Sequence, residues 1–353
     1  MVMAILRKYG KPSRGLIEQK GAMFRDNAAL LAEGARIAAL YTAQPARLRC
    51  KICDAPLGAS MFRKAGIGYT ACPACSHLNG LHDDTAAFCD TVYAQGDGQS
   101  YALNYGSADR QAYEQRIQAI YAPKVDFLQE ALKSLGESPR ELRYADFGAG
   151  SGYFVAALRR AGLDGATGYE VSAAQVRLAQ AMMDADAVIR HDMSETENLA
   201  ATTSADVVSM IGVLEHLRNP REVMAAFRRN PSVRYIYLSV PLFSPSVSLE
   251  AAFPAVFQRH LSGGHTHLFT ERSLNRMAAA NGFEAVAEWW FGTDMVDLFR
   301  AVIVMLDADP DRAQLSAQWK EMIAESIDEL QLVLDRRHKS SEVHMLLQRT
   351  AAE

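Results

Sequence analysis

The chain has 353 residues, enough for two domains with an appendage at a usual size of about 150 residues each. It is 49% hydrophobic and 22% charged, ordinary globular usage that excludes disordered, collagen-like and coiled-coil classes for the whole chain. The charge balance, 37 Lys and Arg against 41 Asp and Glu, argues against a generally basic surface built for nucleic acid, and five cysteines are too sparse for a disulfide scaffold.

In chain order, Met1 to Gly10 lacks the apolar core of a signal peptide, and no apolar run approaches the ~20 residues that cross a bilayer. The sequence therefore predicts a soluble cytoplasmic protein with no membrane span. Residues 22–41 are Ala- and Leu-rich with apolar positions every three or four residues, which predicts a helix ended by Pro45. Between Cys50 and Cys89 the texture changes to short segments broken by Gly, Pro and Cys. A linker-like stretch, Gln95 to Ser100, follows, and residues 109–135 return to helix with Tyr113, Ile117, Ile120, Tyr121, Val125 and Leu128 as the apolar stripe.

From Leu142 to Leu306 strands and helices alternate. Expected strands are Leu142–Phe147, Ala166–Tyr169, Ala187–Ile189, Val207–Ile211, Tyr235–Val240, Glu284–Trp290 and Val302–Leu306, with helices between several of them. That alternation predicts an α/β fold with a doubly wound, mostly parallel seven-stranded sheet. Pro241 to Thr270 is a long insertion after the fifth strand, and residues 313–349 form a polar, helix-prone tail. The expected division is a helical segment (1–45), a zinc-binding module (46–95), a helical lid and linker (96–140), the α/β domain (141–308) and a C-terminal helical tail (309–353).

The zinc expectation rests on Cys50-x2-Cys53 and Cys72-x2-Cys75, separated by 18 residues. Two thiolates two residues apart can chelate one ion, and a second such turn completes a tetrahedron. Four thiolates leave no open position, so Zn2+ here is structural. His77 is a substitute ligand, and Cys89 reads as a small buried hydrophobe. Arg47, Arg49, Lys51, Arg63 and Lys64 around these turns read as a solvated outer face, the alternative being a local nucleic-acid contact.

The first strand of the α/β region runs through Asp146 into Gly148-Ala149-Gly150-Ser151-Gly152 and then into a helix. Glycines admit positive φ and let a ligand approach the main chain, while the helix start offers unpaired N–H groups. The spacing departs from the dinucleotide G-x-G-x-x-G because Tyr153 stands in the sixth position. The second strand ends at Glu170, where a carboxylate can accept the ribose hydroxyls of an adenosine. The third ends at Asp192, and the fourth leads into Leu214-Glu215-His216.

These positions, in this order, resemble the class I S-adenosylmethionine (SAM)-dependent methyltransferases. The resemblance implies cofactor contacts from Asp146, Gly148, Gly150, Gly152, Glu170, Asp192 and Leu214. Tyr101 and Tyr105 are candidates for an aromatic lid over the cofactor, ordinary packing being the alternative. With the paired Cys-x2-Cys turns and the segment His265-Thr266-His267-Leu268-Phe269, the chain is also similar to the sugar C-methyltransferases. That family carries His-Glu-His-aromatic-Ser-Tyr here, and the second histidine is its base. The likeness implies His267 as general base, with His265, Glu215 and His216 as further catalytic candidates, though Thr266 replaces the glutamate and the tyrosine is absent. The implied reaction is O- or C-methylation of a sugar, a nucleotide-sugar or glycan precursor, or a related small metabolite. An RNA methyltransferase using the zinc module, and a non-catalytic scaffold retaining the fold, are the competing readings.

Overall fold

A computed structural model of the chain describes residues 5–13, 17, 26–94, 109–183, 187–262 and 264–351. Its main sheet has eight strands: β1 (Leu6–Tyr9), β5 (Tyr144–Phe147), β6 (Ala166–Glu170), β7 (Val188–Arg190), β8 (Val207–Ile211), β9 (Tyr235–Pro241), β11 (Phe283–Phe291) and β12 (Glu342–Arg349). A second sheet joins β2 (Phe62–Lys64), β3 (Ile67–Ala71), β4 (Leu78–Gly80) and β10 (His267–Leu268).

The main sheet runs β1-β11-β12-β9-β8-β5-β6-β7. All its pairings are parallel except those of β12, which lies antiparallel between β9 and β11. Strand order reverses at β5: the chain winds outward through β6 and β7, then returns to place β8 on the other side. In an open α/β sheet that reversal leaves a crevice beyond the strand carboxyl ends, where ligands bind.

Period-two alternation sends each strand's side chains to opposite faces. Ile236, Leu238, Val240, Trp290, Val343, Met345 and Leu347 join one buried core. Tyr235, Tyr237, Trp289 and Leu346 join the core on the other face. Helices Pro220–Arg229 and Glu271–Ala280 cover the first face; Ala122–Ser134 and Tyr153–Arg160 cover the second.

The α/β, mostly parallel class is as the sequence predicts, and so are six of the seven expected strands within a few residues. Two corrections concern the rest. Val302–Leu306 is not a strand but lies in the helix Asp294–Asp307, whose buried Val296, Phe299 and Ile303 sit at helical spacing. A short apolar run does not by its own pattern distinguish a strand from a buried helix. The C-terminal region is not wholly helical either. After helices Ala313–Ile323 and Ile327–Arg336 it ends in β12, a central strand of the sheet. Its Met, Leu, Gln and Arg favour helix intrinsically, and the vacant slot between two strands outweighs that preference. β1 likewise adds an eighth strand from within the segment 1–45 expected to be helical, pinned by Arg7 Nε donating to Glu288 at 3.1 Å.

No described helix is long and apolar enough to cross a membrane.

Candidate cofactor and acceptor site

A cavity of about 1270 Å³ opens at the carboxyl ends of β5, β6 and β8. One end is formed by the glycine bend. Gly148 has φ +68°, and a Cβ there would lie 2.5 Å from Val213 Cγ2. Gly150 has φ +54°, and a Cβ there would meet Gln175 Oε1 at 2.8 Å. Conformation requires glycine at both positions and clearance requires it at Gly148, since Gln175 can swing away from Gly150; main chain is left facing the cavity. Gly152 precedes the helix Tyr153–Arg160 and closes the bend through its N–H to Ala149 O at 2.9 Å.

Glu170 points at this bend. Its Oε2 accepts from Gly150 N at 2.8 Å, and its Oε1 accepts from Val171 N at 2.9 Å and Ser172 N at 2.8 Å. A carboxylate has about four acceptor positions, so roughly one is left for a ligand hydroxyl unless a main-chain bond is exchanged. Asp192 lies exposed at the cavity rim. Asp146 is buried at the end of β5, where Ser209 Oγ donates to it at 2.6 Å. Burial pushes its carboxyl up to about 7, against the opposing effect of the Ser209 bond.

The other end holds Glu215, His216 and His265, whose ligating atoms lie within 4.8 Å of one another. Burial pushes Glu215 up to about 8 and His216 down to about 4, and it drives His265 well below the usual imidazole range. Both imidazoles are therefore neutral at neutral pH. Lys11, Tyr93, Lys124 and Arg259 also line this end, and the sequence reading passes over all four. Lys124, pushed down to about 8 by burial, follows a π turn at Ile117–Tyr121 that shifts the register of the predicted helix. Such a shift has no signature in an apolar stripe.

Two expected site residues lie elsewhere. Leu214 is fully buried and packs into the core of the first face; its neighbour Val213 reaches the glycine bend instead. A one-turn 3-10 segment at Leu214–His216 turns successive side chains in different directions. His267 is 1% exposed and does not line the cavity. It belongs to β10, which pairs with β4, and its Nδ1 shares a proton with His77 Nε2 at 2.8 Å. His77 Nδ1 meets Ser273 Oγ at 3.3 Å, in the capping box that starts the helix Glu271–Ala280. Strand alternation would put both on one face; instead β10 begins only at His267, so His265, in the loop before it, reaches the cavity while His267 is held in the second sheet. Tyr101 and Tyr105 lie outside the described residues.

Cys50, Cys53, Cys72 and Cys75 converge, with Sγ–Sγ separations of 3.6 Å (Cys50–Cys75) and 3.5 Å (Cys53–Cys72). These are too long for disulfides and near the ~3.8 Å that a tetrahedron with Zn–S of ~2.3 Å requires. Asn79 Nδ2 reaches Cys50 Sγ at 3.7 Å. The donor set fits a structural zinc ion. The positive residues around it are largely neutralised: Arg47 pairs with Asp83 and Asp84, Arg49 with Asp54, Lys51 with Asp84 and Lys64 with Glu250.

No curated protein matches the chain in sequence. Among solved structures the chain is similar to magnesium protoporphyrin IX methyltransferase of Synechocystis PCC 6803 with bound S-adenosylhomocysteine (SAH), at 14% identity over 75% of this chain and 99% of that one, TM-score 0.45. It is also similar to a plantazolicin methyltransferase in complex with a triazolic desmethylPZN analog and SAH, at 13% identity over 72% of this chain and 90% of that one, TM-score 0.42. Residues 113–288 match a family described as a methyltransferase domain, a segment that runs from the helix before β5 through β11 and includes every cavity residue of β5, β6 and β8. The match assigns residues 113–288 to a methyltransferase domain, and the chain is a methyltransferase.

Proposed function

We propose that the enzyme transfers a methyl group from SAM to an oxygen or carbon of a sugar, a nucleotide-sugar or glycan precursor, or a related small metabolite. The observation that carries this reading is the single cavity spanning the glycine bend and the Glu215–His216–His265 cluster. At about 1270 Å³ it exceeds the ~300–1,000 Å³ of a site for one small ligand, so cofactor and acceptor both have room. SAM, when bound, supplies the sulfonium methyl. Gly148, Gly150 and Gly152 let it approach the main chain, Glu170 holds the ribose and Asp192 addresses the adenine from the rim.

At the other end His216 and His265, neutral and buried, face the acceptor and govern the loss of its proton, a role reassigned from His267. Zinc at the four cysteines is structural and acts indirectly. The second sheet it staples includes β10, two residues beyond His265. A compartment that keeps those thiols reduced, the cytoplasm, suits the site. The paired state of Arg47, Arg49, Lys51 and Lys64 favours this reading over RNA methylation.

The test is calorimetric titration of the zinc-loaded protein with SAH, followed by mass spectrometry of nucleotide-sugar and glycan pools for a ~14 Da increment that needs the protein and SAM. Tight SAH binding with a new methylated sugar is expected. Absence of SAH binding overturns the cofactor assignment, and an increment on RNA alone overturns the acceptor class.

A further inference from the structure

We propose that Glu215, His216 and His265 hold a divalent transition-metal cation at the acceptor end of the cavity, where it binds the acceptor's hydroxyl. The inference rests on the reading that the acceptor reacts at this end.

The first observation is the orientation of the imidazoles. His216 Nδ1 lies 3.2 Å from Gly264 O, and His265 Nδ1 lies 3.0 Å from His260 O. A carbonyl only accepts, so both Nδ1 atoms carry the proton and both Nε2 atoms carry a lone pair. Tyr93 is consistent with this arrangement: its hydroxyl donates its one proton to the same Gly264 O at 2.7 Å, so its oxygen, 3.2 Å from His216 Nδ1, is left to accept. Histidines that ligate metals are fixed in just this way, with the second ring nitrogen donating to a main-chain carbonyl or a carboxylate.

The second observation is Glu215. It is 3% exposed and lines the cavity, and its Oε2 is buried without a hydrogen-bond partner. An unpartnered buried carboxylate oxygen carries a desolvation penalty that a cation would relieve. His216 Nε2 stands 4.0 Å from the other oxygen of this carboxylate, Oε1. An ion ~2.0–2.2 Å from each ligand would draw the ligand atoms, now within 4.8 Å of one another, together by up to about 1.4 Å, within reach of side-chain rotation.

Two imidazoles and one carboxylate are the donor set of first-row divalent cations and leave coordination positions open. An acceptor hydroxyl in one of them is acidified by the cation and loses its proton to water. The alkoxide oxygen then forms the O–CH3 bond as the S–CH3 bond breaks, its electron pair staying on sulfur to give SAH. The imidazoles thereby act by holding the cation, which replaces direct proton uptake. Arg259, Lys124 and Glu342 also act electrostatically on Glu215, so three charged neighbours tune the affinity.

The experiment titrates zinc-loaded protein with Co2+, following heat and absorption. The expected result is about one Co2+ per chain beyond the zinc, without thiolate-to-cobalt charge transfer. Glu215→Gln and His265→Gln should each lower the affinity at least tenfold. Both variants keep side-chain volume, and SAH titration of each reports a folded cofactor end. No uptake, uptake only with the thiolate signature, or an affinity in both variants equal to that of the parent overturns the proposal. SAH binding without Co2+ uptake sinks the cation alone, whereas Co2+ uptake without SAH binding sinks the cofactor reading and leaves the cation standing.

Discussion

The two ends of the cavity are assembled differently. The cofactor end is drawn from one stretch, Asp146 to Asp192, and consists of consecutive strand ends and the turns that leave them. The acceptor end gathers Lys11, Tyr93, Lys124, Glu215, His265 and Glu342 from nearly the whole chain. It depends on contacts between distant segments. Gly80 N donates to Thr266 O at 2.8 Å, and Glu250 pairs with Lys64 while accepting His260 N at 2.7 Å. A site built locally is fixed by a few backbone conformations, whereas one built from afar is only as rigid as the staples that hold its pieces. For the acceptor end, the main staple is the cysteine cluster.

Removing zinc should break the comparison most strongly. Structural zinc contributes on the order of 10 kcal/mol to small modules, so a strong chelator is expected to abolish turnover and lower the unfolding temperature sharply. SAH affinity should fall far less, because the glycine bend is fixed by its own backbone conformation and by the Glu170–Gly150 bond. Equal loss of turnover and SAH affinity would show that the two ends are one cooperative unit.

At the cofactor end, Glu170→Ala should weaken SAH binding about 10- to 100-fold, or ~1.4–2.8 kcal/mol, as read by calorimetry. A smaller effect would mean that its main-chain bonds to Gly150, Val171 and Ser172 exhaust the carboxylate.

His267→Gln tests the correction to the base. It disturbs a buried pair with His77 and should cost ~1–3 kcal/mol of stability by denaturant titration, with kcat nearly unchanged. A large fall in kcat with stability intact would restore His267 to the chemistry.

The smallest effect concerns pH. Asp146 titrates near 7 in the folded chain because of burial, above an unfolded value of 3.8. Between about pH 4 and 7 the folded state therefore holds a proton that the unfolded state releases. This contribution to stability is complete below pH 4 and is lost as pH rises through 7. The difference in unfolding free energy between the parent and Asp146→Asn should accordingly vary across that window, and a flat difference refutes the assignment.

Local motifs explain what could be read in advance. The bend at Gly148–Gly152, the acid at Glu170 and the two Cys-x2-Cys turns are sequence-adjacent features whose residue types follow from backbone conformation or ligand chemistry. Long-range packing explains the failures. Val302–Leu306 carries a strand-like run yet completes a helix, because only one side of it meets the core. Glu342–Arg349 reads as helix and becomes a strand, because β9 and β11 leave a slot that only an extended segment can fill.

The sequence by itself determined the α/β class, the glycine turn after the first strand of the methyltransferase domain and the thiolate set, since each is encoded within a few tens of residues. Tertiary structure alone decided which histidine faces the cavity. His265 and His267 are two residues apart, and the pairing of β10 with β4 keeps one in the second sheet and leaves the other at the cavity. No local pattern records which strand will be a neighbour, because that choice is made by the buried surfaces that bring residues 78 and 268 together.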